Sequence, residues 1–419
     1  MPEILIVAAA LAVAAYLLFR FNGAWIYAVW DRATRNSTDR IPPGYDLPRY
    51  YRTNSSGDVD PASRWPGWDG WYFFGIPEGE GIPVKMVRAS LMTGLYGLDG
   101  IDNYERLKFR LSTFDAVEYL ALMPMLVKTP AAVEQRNNLS QYYLPRRWHL
   151  WLKPNVLDVS ITGQRAQNDE EYEEYGRVSG TWPNYRLRFF NPEGDIRADL
   201  NFTAEKVVWW ADAPGLFTYF SVLGRFEGKL VLAGGSSKPD PHKIPAGAES
   251  YDVSGGGALE HGFARKLFGA DPLFFPVRIL NSILPSFRPV RYHYETFLGD
   301  GGERGGFMHA LALGVPVRDR GGFFWNGAYV AIDGVKIAYF DDPAPDLVAA
   351  HCPTRPPVTF YRKWRVQART NDGVLEYVGV REFPPATAAS NMMYYQFACE
   401  GSYKGRSFKG QGYGEYVHI

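Results

Sequence analysis

From Ile196 to Thr203 the apolar residues Ile196, Ala198, Leu200 and Phe202 alternate with Arg197, Asp199, Asn201 and Thr203. That two-residue period puts one face of a strand against a core and the other in water. Similar strand texture dominates beyond Val156. Asp333-Gly334 within YVAIDGVKIAYF and Asp372-Gly373 within WRVQARTNDGVLEYVGV each lie between apolar arms and predict tight hairpin turns. NPEGD at 191–195 and SYKGRSF at 402–408 supply two more. Short strands joined by tight turns, without an alternating helical pattern, predict antiparallel sheets closed as barrels or stacked as sandwiches.

The opening of the chain follows a different pattern. Ile4 to Phe19 is uninterruptedly apolar, then come Arg20, Trp25 and Trp30. Sixteen helical residues fall short of a hydrocarbon core of roughly 30 Å, but a snorkelling Arg20 and interfacial Trp residues extend the reach. A single membrane helix is expected at 1–30. The competing reading, a cleaved signal peptide, wants a basic start and a small-residue cleavage site, whereas Glu3 precedes the run and Leu17, Leu18 and Phe19 end it. Arg20, Arg32, Arg35 and Arg40 follow the helix with no Lys or Arg before it, so the positive-inside bias places the long C-terminal part on the cytoplasmic side of an inner membrane.

Between the anchor and the strands, residues 31–66 read as an irregular, Pro-rich connector. The run FDAVEYLALMPMLVK at 114–128 carries Asp115, Glu118 and Pro124, which favours a packed or interfacial helix over a second span. DEEYEEY at 169–175 reads as a solvated loop. The apolar, proline-broken segment 267–289 interrupts the strand texture and reads as a connection between two β-domains. The resulting divisions are an anchor at 1–30, a connector at 31–66, a first β-domain with its N-terminal extension at 67–266, a linker at 267–289 and a second β-domain at 290–419.

Composition supports this division. A chain of 419 residues exceeds the usual size of one core. Its 45 Lys+Arg balance 45 Asp+Glu, so no bulk field draws it to nucleic acid. Aromatic residues at 16%, with 43 Gly and 30 Pro, tilt the balance towards β-structure. Cys352 and Cys399 are too few for a disulfide framework, and the seven His residues show no metal-ligand spacing, so no metal site is expected.

One pattern is written twice. Gly255, Gly257, Glu260 and His261 in GGGALEHGFAR recur as Gly410, Gly412, Glu415 and Tyr416 in GQGYGEYVHI, a constant 155 positions later. Such a GxGxxE pattern fits a duplicated barrel whose last strand closes each copy, its glycines admitting a sharp bend or another backbone.

On YDVSGGGALEHGFAR, on the terminal GQGYGEYVHI and on the Trp/Tyr-rich hairpins between them, residues 150–419 resemble the lipocalin-like carotenoid hydratase (hydroxyneurosporene synthase) family, which is similar to the tocopherol cyclases. The resemblance implies two antiparallel calycin barrels in tandem behind the N-terminal helix, and a hydrophobic isoprenoid chain as ligand. In the hydratases an Asp-His pair followed by Trp-Gly holds the acid that protonates a terminal double bond. This chain has Glu260 and His261 followed by Gly262 and Phe263.

Hydrating an isolated alkene needs a protonated acid in an apolar pocket and aromatic faces to stabilise the carbocation. Glu260 is the candidate acid, with His261 or His309 as its partner; otherwise Glu260 is a strand carboxylate paired with an Arg such as Arg265. His309 shares a strand face with Phe307, which would line a ligand site or a core, and Trp209 and Trp210 are further candidate lining residues. His293 in RYHYETF reads as solvated. Three functions follow, one of them a pure scaffold of two barrels filled by their own side chains with no ligand. The first is a membrane-anchored binder of a carotenoid or other isoprenoid lipid, or an accessory subunit of a pigment-protein membrane complex. The second is a hydratase or cyclase with Glu260 as proton donor.

Overall fold

The structure, a computed structural model, describes residues 67–78, 87–94, 125–126, 148–152, 156–164, 172–190, 196–213, 217–232, 249–265, 290–312, 315–340, 361–381, 386–389 and 392–418. The expected anchor with Ile4, Phe19, Arg20, Trp25 and Trp30, the connector 31–66 and the linker 267–289 lie outside them. No helix among the described residues is long and apolar enough to cross a membrane.

The described residues form two antiparallel sheets. The first contains β1 (Gly67–Glu78), β2 (Val87–Gly94), β3 (Met125–Leu126), β4 (Trp148–Leu152), β5 (Leu157–Gln164), β6 (Tyr172–Thr181), β7 (Asn184–Phe190), β8 (Ile196–Ala213), β9 (Phe217–Leu232) and β10 (Glu249–Arg265). Its order is β3-β2-β1-β10-β9-β8-β7-β6-β5-β4. The second contains β11 (Val290–Gly299), β12 (Arg304–Ala312), β13 (Val315–Trp325), β14 (Ala328–Tyr339), β15 (Lys363–Thr370), β16 (Gly373–Arg381), β17 (Ala386–Ala389), β18 (Met392–Tyr403) and β19 (Arg406–His418).

The second sheet runs β16-β15-β14-β13-β12-β11-β19-β18, and β16 also pairs with β18. Eight strands therefore close into a barrel, consistent with a lipocalin-like fold. The first sheet is not closed by any pairing among the described residues. It nevertheless curls, because Val87 of β2 and Leu157 and Val178 of β5 and β6 share one apolar core with Phe73, Phe202 and Phe226 of the strands between. The expectation of two closed barrels thus holds in full for the second half only.

In each half the final strand pairs with the opening one, β10 with β1 and β19 with β11. The repeated glycines sit at these seams. A Cβ at Gly255 would lie 2.0 Å from the Ile76 carbonyl oxygen, and one at Gly410 would lie 2.3 Å from that of Leu298. At Gly257 and Gly412 the collisions are with the carbonyls of Phe74 and Thr296, at 2.6 and 2.5 Å. Adjacent backbones approach too closely at the seam for any side chain, which is why the pattern recurs.

Alternation behaves as read in β8, where Ala198, Leu200 and Phe202 are buried and Asn201 and Thr203 exposed. The turn between β18 and β19 has positive φ at Lys404 and Gly405, and β15 and β16 meet in a tight turn with Thr370 opposite Gly373. Asp333-Gly334 is not a turn. β14 runs straight through it, and the register against β15 shifts between Ile332 and Val335, so the glycine marks a β-bulge. A tight turn at Asn326-Gly327, with φ of 48° and 79°, carries the Asn-Gly signal instead.

Two further expectations change. In the run 114–128, Met125–Leu126 pairs with β2 as a short strand, while the rest lies outside the described residues. Tyr172 onwards in the acidic run belongs to β6, where Glu174 pairs with Arg188 at 2.7 Å, so cross-strand charge neutralisation replaces the expected loop.

Candidate functional site at the junction of the two sheets

The sheets meet over a third apolar cluster. It joins Phe74, Ile76, Val208, Leu223 and Ala258 of the first sheet to Tyr294, Leu298 and Tyr413 of the second, with Tyr219, Tyr292, Met308, Phe324 and Tyr329 packed against it. Phe74 and Tyr413 contact across it with ring centroids 4.9 Å apart. Because strand side chains alternate, the residues of β10 divide between this junction and the core of the first sheet.

Glu260 goes to the junction. It is only 6% exposed, accepts a 2.6 Å hydrogen bond on Oε2 from the Tyr219 hydroxyl, and has no partner in hydrogen-bonding geometry on Oε1. Burial pushes its carboxyl up to about 7, and the nearby charge of Glu415 adds to the rise. The hydroxyls of Tyr219, Tyr294 and Ser221 pull the other way. Burial first, and then the Glu260 charge, hold the Tyr219 and Tyr294 phenols well above their ordinary range, so both remain proton donors. Tyr294 Oη lies 3.5 Å from Ser221 Oγ, linking β11 to β9 beside the acid.

Glu415 reaches the same junction from β19. Its Oε1 accepts from Tyr413 at 2.9 Å and its Oε2 from Tyr292 at 3.4 Å, and it is only half-buried. The sequence singled out Glu415 as the repeat of Glu260 without assigning it chemistry. The four tyrosines around the pair are scattered over 219–413 and carry no local motif that would have exposed them.

His261 does not join Glu260. It lies flat against Trp71 at 4.6 Å inside the first core, with Phe220 edge-on at 5.5 Å. Neighbouring residues on a strand face opposite ways, so Glu260 and His261 do not form the expected acid–histidine pair; Tyr219 is a hydrogen-bond partner of Glu260, and the Arg265 side chain lies outside the described residues. His309 and Phe307 face the interior of the second barrel, where His309 Nδ1 lies 2.5 Å from Asp319 Oδ1. That corrects the reading of His309 as a partner of Glu260. Trp209 and Trp210 lie in β8 opposite Ser221 and Phe220 beyond a register shift, but their side chains are outside the described residues.

The second barrel holds a cluster that sequence reasoning missed. His293, expected in solvent, is 2% exposed, and Glu295 is fully buried. His293 Nε2 lies 2.5 Å from Glu295 Oε1 and from Tyr395 Oη, and His293 Nδ1 lies 2.9 Å from Tyr339 Oη. Tyr395 donates to Glu295 Oε1 at 2.9 Å and Tyr377 donates to Oε2. Trp364, Phe307, Phe297 and Phe397 surround these groups, and ring contacts run on across the barrel. The polar atoms of this cluster satisfy one another within a packed aromatic core, which marks a structural network. Cys399, buried in the same core, is a free thiol held well above its usual range chiefly by burial; Cys352 lies outside the described residues.

No family model matches the chain, and no curated protein matches it. Among solved structures it is similar to a putative AttH from Nitrosomonas europaea, at 12% identity and a TM-score of 0.42 over 84% of this chain and 93% of that one. It is also similar to CghA, at 11% and 0.43 over 92% and 96%. A third similar structure is kievitone hydratase from Nectria haematococca, at 10% and 0.40 over 89% and 97%. At these values the fold rests on the strand pairing itself.

Proposed function

We propose that the protein initiates acid chemistry on a carbon–carbon double bond of an apolar, isoprenoid-like substrate, with Glu260 as the proton donor. One observation carries this reading: a carboxyl buried at an aromatic junction, with one oxygen unpartnered and its titration moved to about 7. Near neutral pH such a group is protonated in a large fraction of molecules and still acidic enough to give the proton up. A solvated glutamate is almost wholly ionised there.

The surroundings suit the intermediate. Protonating an alkene leaves a positive charge on the adjacent carbon, and the ring faces of Phe74, Tyr413, Tyr219 and Tyr294 around the junction offer quadrupoles that stabilise it. Tyr219 holds Glu260 by Oε2, and the buried Oε1, which accepts no hydrogen bond, is the oxygen that carries the proton in this reading. Hydration of a terminal double bond in an acyclic carotene is the reaction most compatible with this set.

A second reading is a membrane-anchored binder of such a lipid, or an accessory subunit of a pigment-protein complex. The apolar segment from Ile4 to Phe19 and the missing Trp after His261 support it. In both readings the apolar segment is proposed to anchor the protein in an inner membrane, with the β-domains on the cytoplasmic side because Arg20, Arg32, Arg35 and Arg40 follow it.

The test is turnover of an acyclic carotene by protein purified in mild detergent, wild type against Glu260→Gln. Proton-donor loss should lower hydration by about 100-fold or more. Equal turnover by the two would remove Glu260 from the role, and a bound isoprenoid without any turnover would select the binder.

A further inference from the structure

We propose that Glu415 is the second carboxylate of this site and takes the proton from the water that adds to the carbocation. The proposal rests on the proton-donor reading of Glu260 and assigns the other half of the same reaction.

The two acids occupy the same position of the repeated pattern, and both accept hydrogen bonds from tyrosines of the cluster between the sheets, Glu260 from Tyr219 and Glu415 from Tyr413 and Tyr292. Their environments then differ. Glu260 is buried, takes a 2.6 Å hydrogen bond from Tyr219 on Oε2 with the Tyr294 and Ser221 hydroxyls also beside it, and leaves Oε1 without a hydrogen bond. Glu415 is half-buried and accepts a phenol on each oxygen, from Tyr413 and Tyr292. Phenol donors on both oxygens favour a carboxylate over a carboxylic acid, and a negative charge beside Glu260 favours the proton on Glu260. Among the described residues, the groups directly opposite the pair are Tyr72 on β1 and Ser221 on β9, facing Glu260, and Tyr294 on β11, opposite Glu415, none of them cationic. One acid and one base are thereby separated by environment alone.

The chemistry balances with water as the co-reactant. The Glu260 O–H bond breaks, and its proton forms a C–H bond with the less substituted carbon of the double bond through the π pair, leaving the charge on the more substituted carbon. A water oxygen forms a C–O bond at the neighbouring cationic carbon. That water loses a proton to a Glu415 oxygen, and the proton returns to Glu260 through solvent at the half-buried side. Water is added across the double bond with no net oxidation or reduction.

The experiment uses the full chain with an acyclic carotene in deuterated water. In Glu415→Gln, Glu260 should still protonate and release the alkene, so deuterium enters the less substituted alkene carbon, while alcohol formation falls by roughly 10–100-fold. Glu260→Gln should lose both. Alcohol at the wild-type rate in Glu415→Gln, or joint loss of exchange and alcohol, overturns the assignment. Should that variant fail to fold, Glu415→Asp must keep exchange and recover part of the alcohol.

A second measurement needs no substrate. An infrared titration of the Glu260 carboxyl stretch, identified by its loss in Glu260→Gln, should show a lower midpoint in Glu415→Gln than in wild type, and an unchanged midpoint overturns the pairing. If wild-type protein turns over no carotene, the proton-donor reading fails while the coupling of the two carboxylates is still decided by this titration.

Discussion

Glu260 and His261 are consecutive residues with opposite fates: the carboxylate meets the second sheet at the junction, and the imidazole stacks on Trp71 in the first core. The strand pleat alone imposes this division. It puts the carboxylate in the contact between the two sheets and the imidazole in the core of the first. A substitution at His261 therefore acts on packing, and one at Glu260 on protonation.

The first prediction concerns pH. In the unfolded chain Glu260 releases its proton near 4.5, and in the native protein near 7. Between those values the native state holds a proton that the unfolded state has lost, so stability falls as pH rises through this window and levels off above it. The full loss is on the order of 3 kcal/mol. Thermal unfolding followed from pH 4 upwards should show this decline in wild type, and Glu260→Gln should flatten it.

The second prediction concerns the seam glycines. Gly255→Ala and Gly410→Ala each drive a Cβ into the carbonyl of an adjacent strand, which cannot move without breaking the ladder. Each should cost about 1–3 kcal/mol or more in urea unfolding. Gly301→Ala meets only the flexible end of Glu303 and should change little. Equal tolerance at all three would refute the close-approach account of the repeated pattern.

The strands and the pairing of both GxGxxE segments with the opening strand of their own half were legible in the sequence because each depends on local period or on repetition. The junction was not. Tyr219, Tyr294, Tyr292 and Tyr413 come together only through the packing of two sheets, and no spacing encodes that. His293 was misread because the polar neighbours in RYHYETF suggest water, whereas Glu295, Tyr339 and Tyr395 satisfy its ring nitrogens inside the barrel. Asp333-Gly334 was misread because one dipeptide serves both a turn and a bulge, and only the partner strand decides between them.

The third prediction tests the buried network. Glu295→Leu removes the acceptor for Tyr377 and Tyr395 and strips His293 Nε2 of its carboxylate, leaving several polar atoms unsatisfied in an aromatic core. About 3–5 kcal/mol should be lost. Tyr377→Phe, which removes one donor and keeps the ring, should cost about 1–2 kcal/mol. Chemical denaturation of the two variants should preserve that order, and similar small losses for both would mean that the network contributes little.

The fourth prediction tests the contact between the sheets. Arg304 of β12 is 8% exposed; its Nε donates to Glu205 of β8 at 3.1 Å, its Nη2 donates to the same oxygen, and its guanidinium lies over the Phe324 ring at 4.3 Å. Glu205→Gln leaves a nearly buried cation facing a neutral amide, and about 1.5–3 kcal/mol should be lost. Arg304→Met frees Glu205, which is more exposed and lies 3.8 Å from Arg225, so its loss should be smaller. The two residues share one contact, so the double variant should lose less than the sum of the singles. Additive losses in a double-mutant cycle would show that this pair does not join the two halves.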